Sequence, residues 1–147
     1  MIEDIFYKNI EEKTFGIYKQ KAFSHSYRVS AFAQQLSVYY RLDPYLCKII
    51  GLYHDIAQFI NHNSFNHAKL SSEMTRKLLT DILDEDELDT VCNAIKNHSD
   101  KDNKHDDYSE LLKDADILAF YYESKDNILP LKHYKRIKQY IEKRDEE

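Results

Sequence analysis

Glycine and proline are scarce in this sequence, with two of each among 147 residues. A β-rich chain or a dinucleotide-binding α/β chain of this length needs more glycine for its turns. The glycine motifs GxGxxG and GxxxxGK[ST] are also missing, so no glycine-rich loop for a phosphate group is expected. Few turn-forming residues, together with abundant Leu, Lys, Glu and Ile, favour a helical protein.

Cysteines and long apolar runs are limited as well. Cys47 and Cys92 stand alone in apolar surroundings without a CxxC motif, so both are predicted to be small buried side chains. No apolar run approaches the ~20 residues that span a bilayer. The first residues lack the basic segment followed by an apolar stretch that is typical of a signal peptide. We therefore expect a cytoplasmic protein with no membrane association.

The net charge of −5 argues against general nucleic-acid binding, which normally requires a basic face. A locally basic site for a small anion remains compatible with an acidic protein. The length suits one domain with one core, and 42 % hydrophobic residues are enough to form it. Without repeats or linkers, residues 1–147 are predicted to form a single domain.

Apolar residues recur with a period of 3.6 from end to end, and no alternating strand pattern appears. The chain is therefore predicted to be all-α, a compact bundle of six to seven helices. Asp43 before Pro44, and Asp84 three residues before Glu87, are typical helix starts. The predicted helices cover about 2–13, 24–40 (or from a few residues earlier), 44–60, 66–83, 85–98, 109–123 and 131–143. The segment 99–107 is predicted to be an exposed loop, and the tail EKRDEE is expected to fray.

Six polar residues occupy apolar faces of these predicted helices: His25, His54, Asp55, His67, His98 and Asp116. One inward histidine is most often a hydrogen-bonded core residue, whereas a buried carboxylate is costly unless it is paired. Six such residues on five helices are better explained together by a metal ion. Neutral imidazoles offer nitrogen ligands, carboxylates offer oxygen ligands, and the cation offsets the buried negative charge.

Three segments in order, FSHSYRVSAFA, GLYHDIAQF and LLKDADILAFY, resemble the motifs of the HD superfamily over residues 23–123. This resemblance implies an all-helical domain in which His25, His54, Asp55 and Asp116 bind one divalent metal ion. Two more segments, NHAKLSSEMTRKLL and AIKNHSD, resemble those of dinuclear members of the superfamily. They imply that His67 and His98 hold a second ion that Asp55 bridges to the first. The metal is left open among Mn, Fe, Mg, Co and Ni.

The function implied by the resemblance is a metal-dependent phosphohydrolase that acts on phosphate monoesters or diesters, with nucleotides favoured. His54 and Asp55 are predicted to be catalytic, and the predicted partner is a small anionic phosphoester. Two alternatives use the same residues: a di-iron oxygenase of the same fold, and a non-catalytic module that binds a metal or ligand for regulation.

Substrate-binding residues are less well indicated by the sequence. Many relatives carry a basic residue where this chain has Gln58, so a cation must come from elsewhere. Arg28, Lys69 and Lys113 lie near the ligands in the sequence and are the predicted substrate-binding residues. The remaining histidines are predicted to be solvated: His62, His105 and His133.

Overall fold

The computed structural model describes the backbone of residues 1–145 and the side chains of residues 1–143. Over that range the chain forms eight α-helices and no β-strand, which confirms the all-α prediction. The helices are α1 (Ile2–Lys13), α2 (Gly16–Tyr40), α3 (Pro44–Tyr53), α4 (Ile56–Asn61), α5 (His67–Leu79), α6 (Glu85–Asn97), α7 (Asp107–Glu123) and α8 (Leu131–Asp145). Glu146 and Glu147, which belong to the predicted domain and to the predicted frayed tail, lie outside the described residues.

The predicted helix over 44–60 is interrupted, so the prediction of one continuous helix is wrong. α3 ends at Tyr53, α4 begins at Ile56, and Asp55 has a backbone φ of −117° and ψ of 17°. In a continuous helix the amide of Ala57 would donate to the carbonyl of Tyr53. It donates instead to the Ser71 hydroxyl at 3.0 Å, which satisfies a donor freed by the break.

The predicted helix starts are confirmed where the sequence carries capping residues. Asp43 accepts a hydrogen bond from the amide of Tyr45 at 2.8 Å, with Pro44 in the first turn. Asp84 and Glu87 form a reciprocal capping box at the start of α6. α2 begins at Gly16, which is earlier than the start predicted near residue 24.

α2 is the central helix, and it packs against α3 and α7. The interior is built from fully buried apolar side chains such as Val29 of α2, Ile50 of α3 and Leu112 of α7. α1 closes one end of this core, where the Tyr53 hydroxyl donates to the Ile2 carbonyl at 2.6 Å. Within residues 1–145, no helix is both long enough and apolar enough to cross a membrane.

A buried carboxylate ties α2, α7 and α8 together. Asp114 accepts hydrogen bonds from the hydroxyl of Tyr40 at 2.7 Å, from Nε of Arg136 at 2.8 Å and from the hydroxyl of Tyr140 at 3.3 Å. Burial raises the pKa of Asp114, and the Arg136 charge acts in the opposite direction. These contacts hold the middle of α8 against α2 and α7.

α2 and α3 approach each other most closely at Gly51. A Cβ atom there would lie 2.6 Å from Cα and 2.8 Å from the amide nitrogen of Ser30. Both atoms belong to the backbone of α2 and cannot rotate away, so only glycine allows this helix pair to pack as it does. The Ser30 hydroxyl, which donates to the Lys48 carbonyl at 3.0 Å, fixes the same crossing.

We expect Gly51→Ala to destabilise the protein by about 1–3 kcal/mol, because overpacking at this crossing must push the helices apart. The loss should exceed the ~0.5–1 kcal/mol that alanine gains over glycine within a helix. Urea unfolding measures the change, with Ser24→Ala on the exposed side of α2 as the control. A Gly51→Ala protein as stable as the parent would show that the close approach is not required.

Candidate metal centre

Four side chains from three parts of the fold converge on one point. His25 comes from α2, Asp116 from α7, and His54 and Asp55 from the break between α3 and α4. One ligand atom from each of these residues lies within 4.8 Å of all the others. Nε2 of His25 is 3.2 Å from Nε2 of His54, and Oδ1 of Asp116 is 3.3 Å from both nitrogens.

A second group of ligand atoms shares Asp55 with the first. Oδ2 of Asp55 faces His54 at 3.1 Å and His25 at 3.5 Å. Oδ1 faces His98 at 3.1 Å and His67 at 3.4 Å, and these three residues form a second candidate metal-binding group. Each oxygen of the Asp55 carboxylate thus faces a different group of ligand atoms, which is the arrangement of a bridging ligand.

The ring nitrogens of three histidines are oriented by the backbone. Nδ1 lies against the carbonyl oxygen three residues earlier in the chain, at 2.7 Å for His54, 3.0 Å for His67 and 2.6 Å for His98. A carbonyl only accepts, so Nδ1 carries a hydrogen, and the neutral form of each ring would present a bare Nε2 to the centre. This is the form of histidine that coordinates a metal ion, with the second-shell partner already in place.

Several ligand side chains of the centre, including the Asp55 carboxylate, are almost fully buried. His54 is 0 % exposed, His98 is 1 % exposed and Asp55 is 7 % exposed. Burial raises the pKa of Asp55 and of Asp116, but the neighbouring histidines outweigh it and hold both values well below the usual range. Conversely, burial lowers the pKa of His54, and the Asp55 and Asp116 carboxylates outweigh it and raise that pKa to about 10.

Without an ion, a proton on His54 balances these carboxylates, and a divalent cation in the same place would displace it. Mixed imidazole and carboxylate ligands suit the divalent transition metals. The donor set therefore fits a metal ion, and the six residues predicted from the sequence as ligands all contribute atoms to it.

A cavity of about 570 Å³ opens on this centre. The ligands His25, Asp55, His67, His98 and Asp116 contribute to its lining. The apolar part of the wall comes from Ile117, Phe120, Ile128, Leu129 and Pro130, and the basic part from Lys101, Lys132 and His133. The cavity can therefore take an anionic group at the metal centre and an organic group beside it.

Lys113 does not contact this cavity, so its predicted role in substrate binding is corrected. Its side chain is fully buried, and its ammonium donates to the Glu110 carboxylate at 2.6 Å and to the Asn103 carbonyl at 2.8 Å. His105 Nδ1 lies 2.8 Å from the same ammonium. Lys113 therefore anchors the segment 99–106 rather than a substrate.

Arg28 and Lys69 are not among the described residues that line the cavity. Lys69 is exposed, and Arg28 is half-buried with its Nη1 lacking a hydrogen-bond partner. Their roles in substrate binding stay predictions.

The sequence interpretation missed Lys101, Lys132 and His133. Lys101 lies three residues after His98, and that proximity could have identified it within the charged segment. Lys132 and His133 reach the cavity only because α8 packs beside α7, which no local pattern reveals. His133, predicted to be solvated, lines the cavity instead.

Comparisons with known proteins agree with this geometry. A family model of the HD domain matches residues 22–121. The chain is 31 % identical over 107 residues to Ribonuclease Y of Chlorobium luteolum, which covers 73 % of this chain and 19 % of that protein. It is 33 % identical over 103 residues to Ribonuclease Y of Lactobacillus helveticus, which covers 69 % of this chain and 18 % of that protein. The chain thus spans about a fifth of the length of these curated relatives, and no solved structure matches it.

Proposed function

The chain belongs to the HD domain family, and on that premise we propose that it is a phosphohydrolase with two metal ions that acts on phosphate monoesters or diesters, nucleotides above all. The observation that carries the proposal is the Asp55 carboxylate, whose two oxygens each face a different group of ligand atoms.

His25, His54, Asp55 and Asp116 would hold one ion, and Asp55, His67 and His98 the other. A bound divalent ion would lower the pKa of the water that it coordinates and would neutralise negative charge on a phosphoryl group. The backbone carbonyls keep Nε2 of His54, His67 and His98 aimed at the centre, so these three ligands would be oriented before an ion binds. The catalytic role of Asp55 would be to hold both ions beside the water that they activate, because it faces both ligand groups and lines the cavity.

Two features of the chain bear on the substrate. The relatives named Ribonuclease Y support phosphodiesters between nucleotides as one substrate class. The net charge of −5 supports a small phosphoester rather than a long nucleic acid. The apolar wall, including Phe120 and Leu129, would pack against the organic part of such a substrate.

The test uses protein purified without chelator and then assayed with added Mn²⁺, Mg²⁺, Co²⁺ or Ni²⁺. The substrates are p-nitrophenyl phosphate, bis-p-nitrophenyl phosphate and a panel of nucleotides. We expect metal-dependent hydrolysis that EDTA abolishes. A metal-loaded protein that hydrolyses none of them would refute the proposal, and oxygen consumption by an iron-loaded protein would favour the oxygenase alternative.

A further inference from the structure

We propose that Lys101 is the phosphate-binding residue of this site: its ammonium donates a hydrogen bond to a phosphoryl oxygen of the substrate at the metal centre. The inference deepens the proposed function and rests on it. It assigns to Lys101 the substrate contact that was predicted for Arg28, Lys69 and Lys113.

Lys101 contacts one residue from each of the two ligand groups. Its Nζ is 3.2 Å from Oδ2 of Asp116 and 3.0 Å from the carbonyl oxygen of His98. Asp116 directs its other oxygen, Oδ1, at His25 and His54. Lys101 can therefore keep its contact with Asp116 while Oδ1 serves a metal ion.

The Lys101 ammonium has one N–H group beyond those used in these two contacts. A lysine ammonium carries three N–H groups, and the contacts with Asp116 and His98 account for two. The side chain is 14 % exposed and lines the cavity, so the third N–H is available to a ligand there. An N–H donated by a cation to a phosphate oxygen is among the stronger hydrogen bonds in proteins.

The other basic residues of the cavity are less suited to this role. Lys132 is 60 % exposed and already pairs with Asp102 at 2.5 Å. Burial and the charges of Lys101 and Lys132 lower the pKa of His133, so its imidazole is neutral at pH 7. Lys101 is thus the well-shielded cation among the described residues that line this cavity.

The segment that carries Lys101 is firmly held. The buried ammonium of Lys113 donates to the Asn103 carbonyl, and the Asp100 carboxylate accepts from the amides of Asp102 and Asn103 at 3.3 and 3.2 Å. The first bond attaches the segment to α7, and the other two hold a turn around Lys101. The cation is therefore positioned before a substrate arrives, which reduces the entropy lost on binding.

The test measures binding of inorganic phosphate to the Mn²⁺-loaded protein by calorimetry, with Mn²⁺ per chain determined in the same samples. We expect Lys101→Met to weaken phosphate binding by about 10- to 100-fold, as for loss of a hydrogen bond to a charged group, while Mn²⁺ content is unchanged. Lys101→Arg should recover most of that affinity. Lys104→Met, an exposed lysine of the same segment, is the matched control and should bind phosphate like the parent.

Several outcomes would overturn the inference. Phosphate binding by Lys101→Met at parental affinity would exclude the contact, and so would a parent protein that binds no phosphate. A Lys101→Met protein that loses Mn²⁺ together with phosphate would show that Lys101 supports the metal through Asp116 instead. If the methionine variant fails to fold, Lys101→Gln carries the same expectation with a polar side chain.

Failure of the inference is separable from failure of the proposed function. A parent that hydrolyses bis-p-nitrophenyl phosphate, alongside a Lys101→Met variant with unchanged phosphate affinity, refutes the role of Lys101 alone. A parent that binds phosphate through Lys101 but hydrolyses no phosphoester refutes the proposed function alone.

Discussion

Asp55→Asn is expected to reduce metal-dependent phosphoester hydrolysis by about 1000-fold or more, equivalent to ~4 kcal/mol of activation free energy. Asp55 is the residue shared by both ligand groups, with Oδ2 toward His25 and His54 and Oδ1 toward His67 and His98. Asparagine keeps the shape of the side chain but removes its negative charge and one of its two ligand oxygens. Both metal positions should therefore weaken at once.

The measurement is a steady-state assay at saturating Mn²⁺, with Mn²⁺ per chain determined in parallel. Asp81→Asn is the matched control, because Asp81 is exposed on the surface. It should retain parental activity. His54→Ala and Asp116→Ala should act like Asp55→Asn, since each removes a ligand of the first group. Full activity in Asp55→Asn would refute the assignment of the centre.

The double variant His67→Ala/His98→Ala is expected to bind close to one Mn²⁺ per chain where the parent binds close to two, and to lose most activity. Without these imidazoles, only Asp55 remains in the second ligand group. The first group keeps all four of its ligands, so one ion should stay bound. Equilibrium dialysis followed by metal analysis gives the stoichiometry, and circular dichroism checks the fold.

His62→Ala is the histidine control for this experiment. His62 is exposed, follows α4, and stacks on Tyr18 at a ring-centroid distance of 4.6 Å. It should keep two ions. A parent protein that binds one Mn²⁺ under all conditions would refute the dinuclear centre. His67 and His98 would then serve only as hydrogen-bonding partners of Asp55.

The metal-binding group could be predicted from the sequence because its members carry two independent signals. His25 and Asp116 interrupt apolar faces of amphipathic helices, and both also fall within recognisable motifs. The break at His54 and Asp55 could not be predicted, because the apolar pattern runs through it without a glycine or proline. The Ser71 hydroxyl, which accepts the hydrogen bond from the Ala57 amide freed by the break, lies 14 residues after Ala57 in the chain.

The substrate contacts were harder to predict for a related reason. Lys113 lies three residues before Asp116 in the sequence. This short separation does not determine whether the Lys113 side chain is covered by another part of the chain or faces the cavity. The segment 99–106 folds over Lys113 and supplies it with the Asn103 carbonyl and His105. Lys101 was not predicted because a run of charged residues is usually a solvated loop. In the structure, the Lys101 side chain of this run contacts His98 and Asp116 of the metal centre.

An anomalous difference map from crystals of the Mn²⁺-loaded protein tests the central claim most directly. Two peaks are expected on either side of the Asp55 carboxylate, about 3.5–4 Å apart as in other two-metal sites. One peak should contact His25, His54 and Asp116, and the other His67 and His98. A single peak, or manganese bound away from Asp55, would contradict the dinuclear centre.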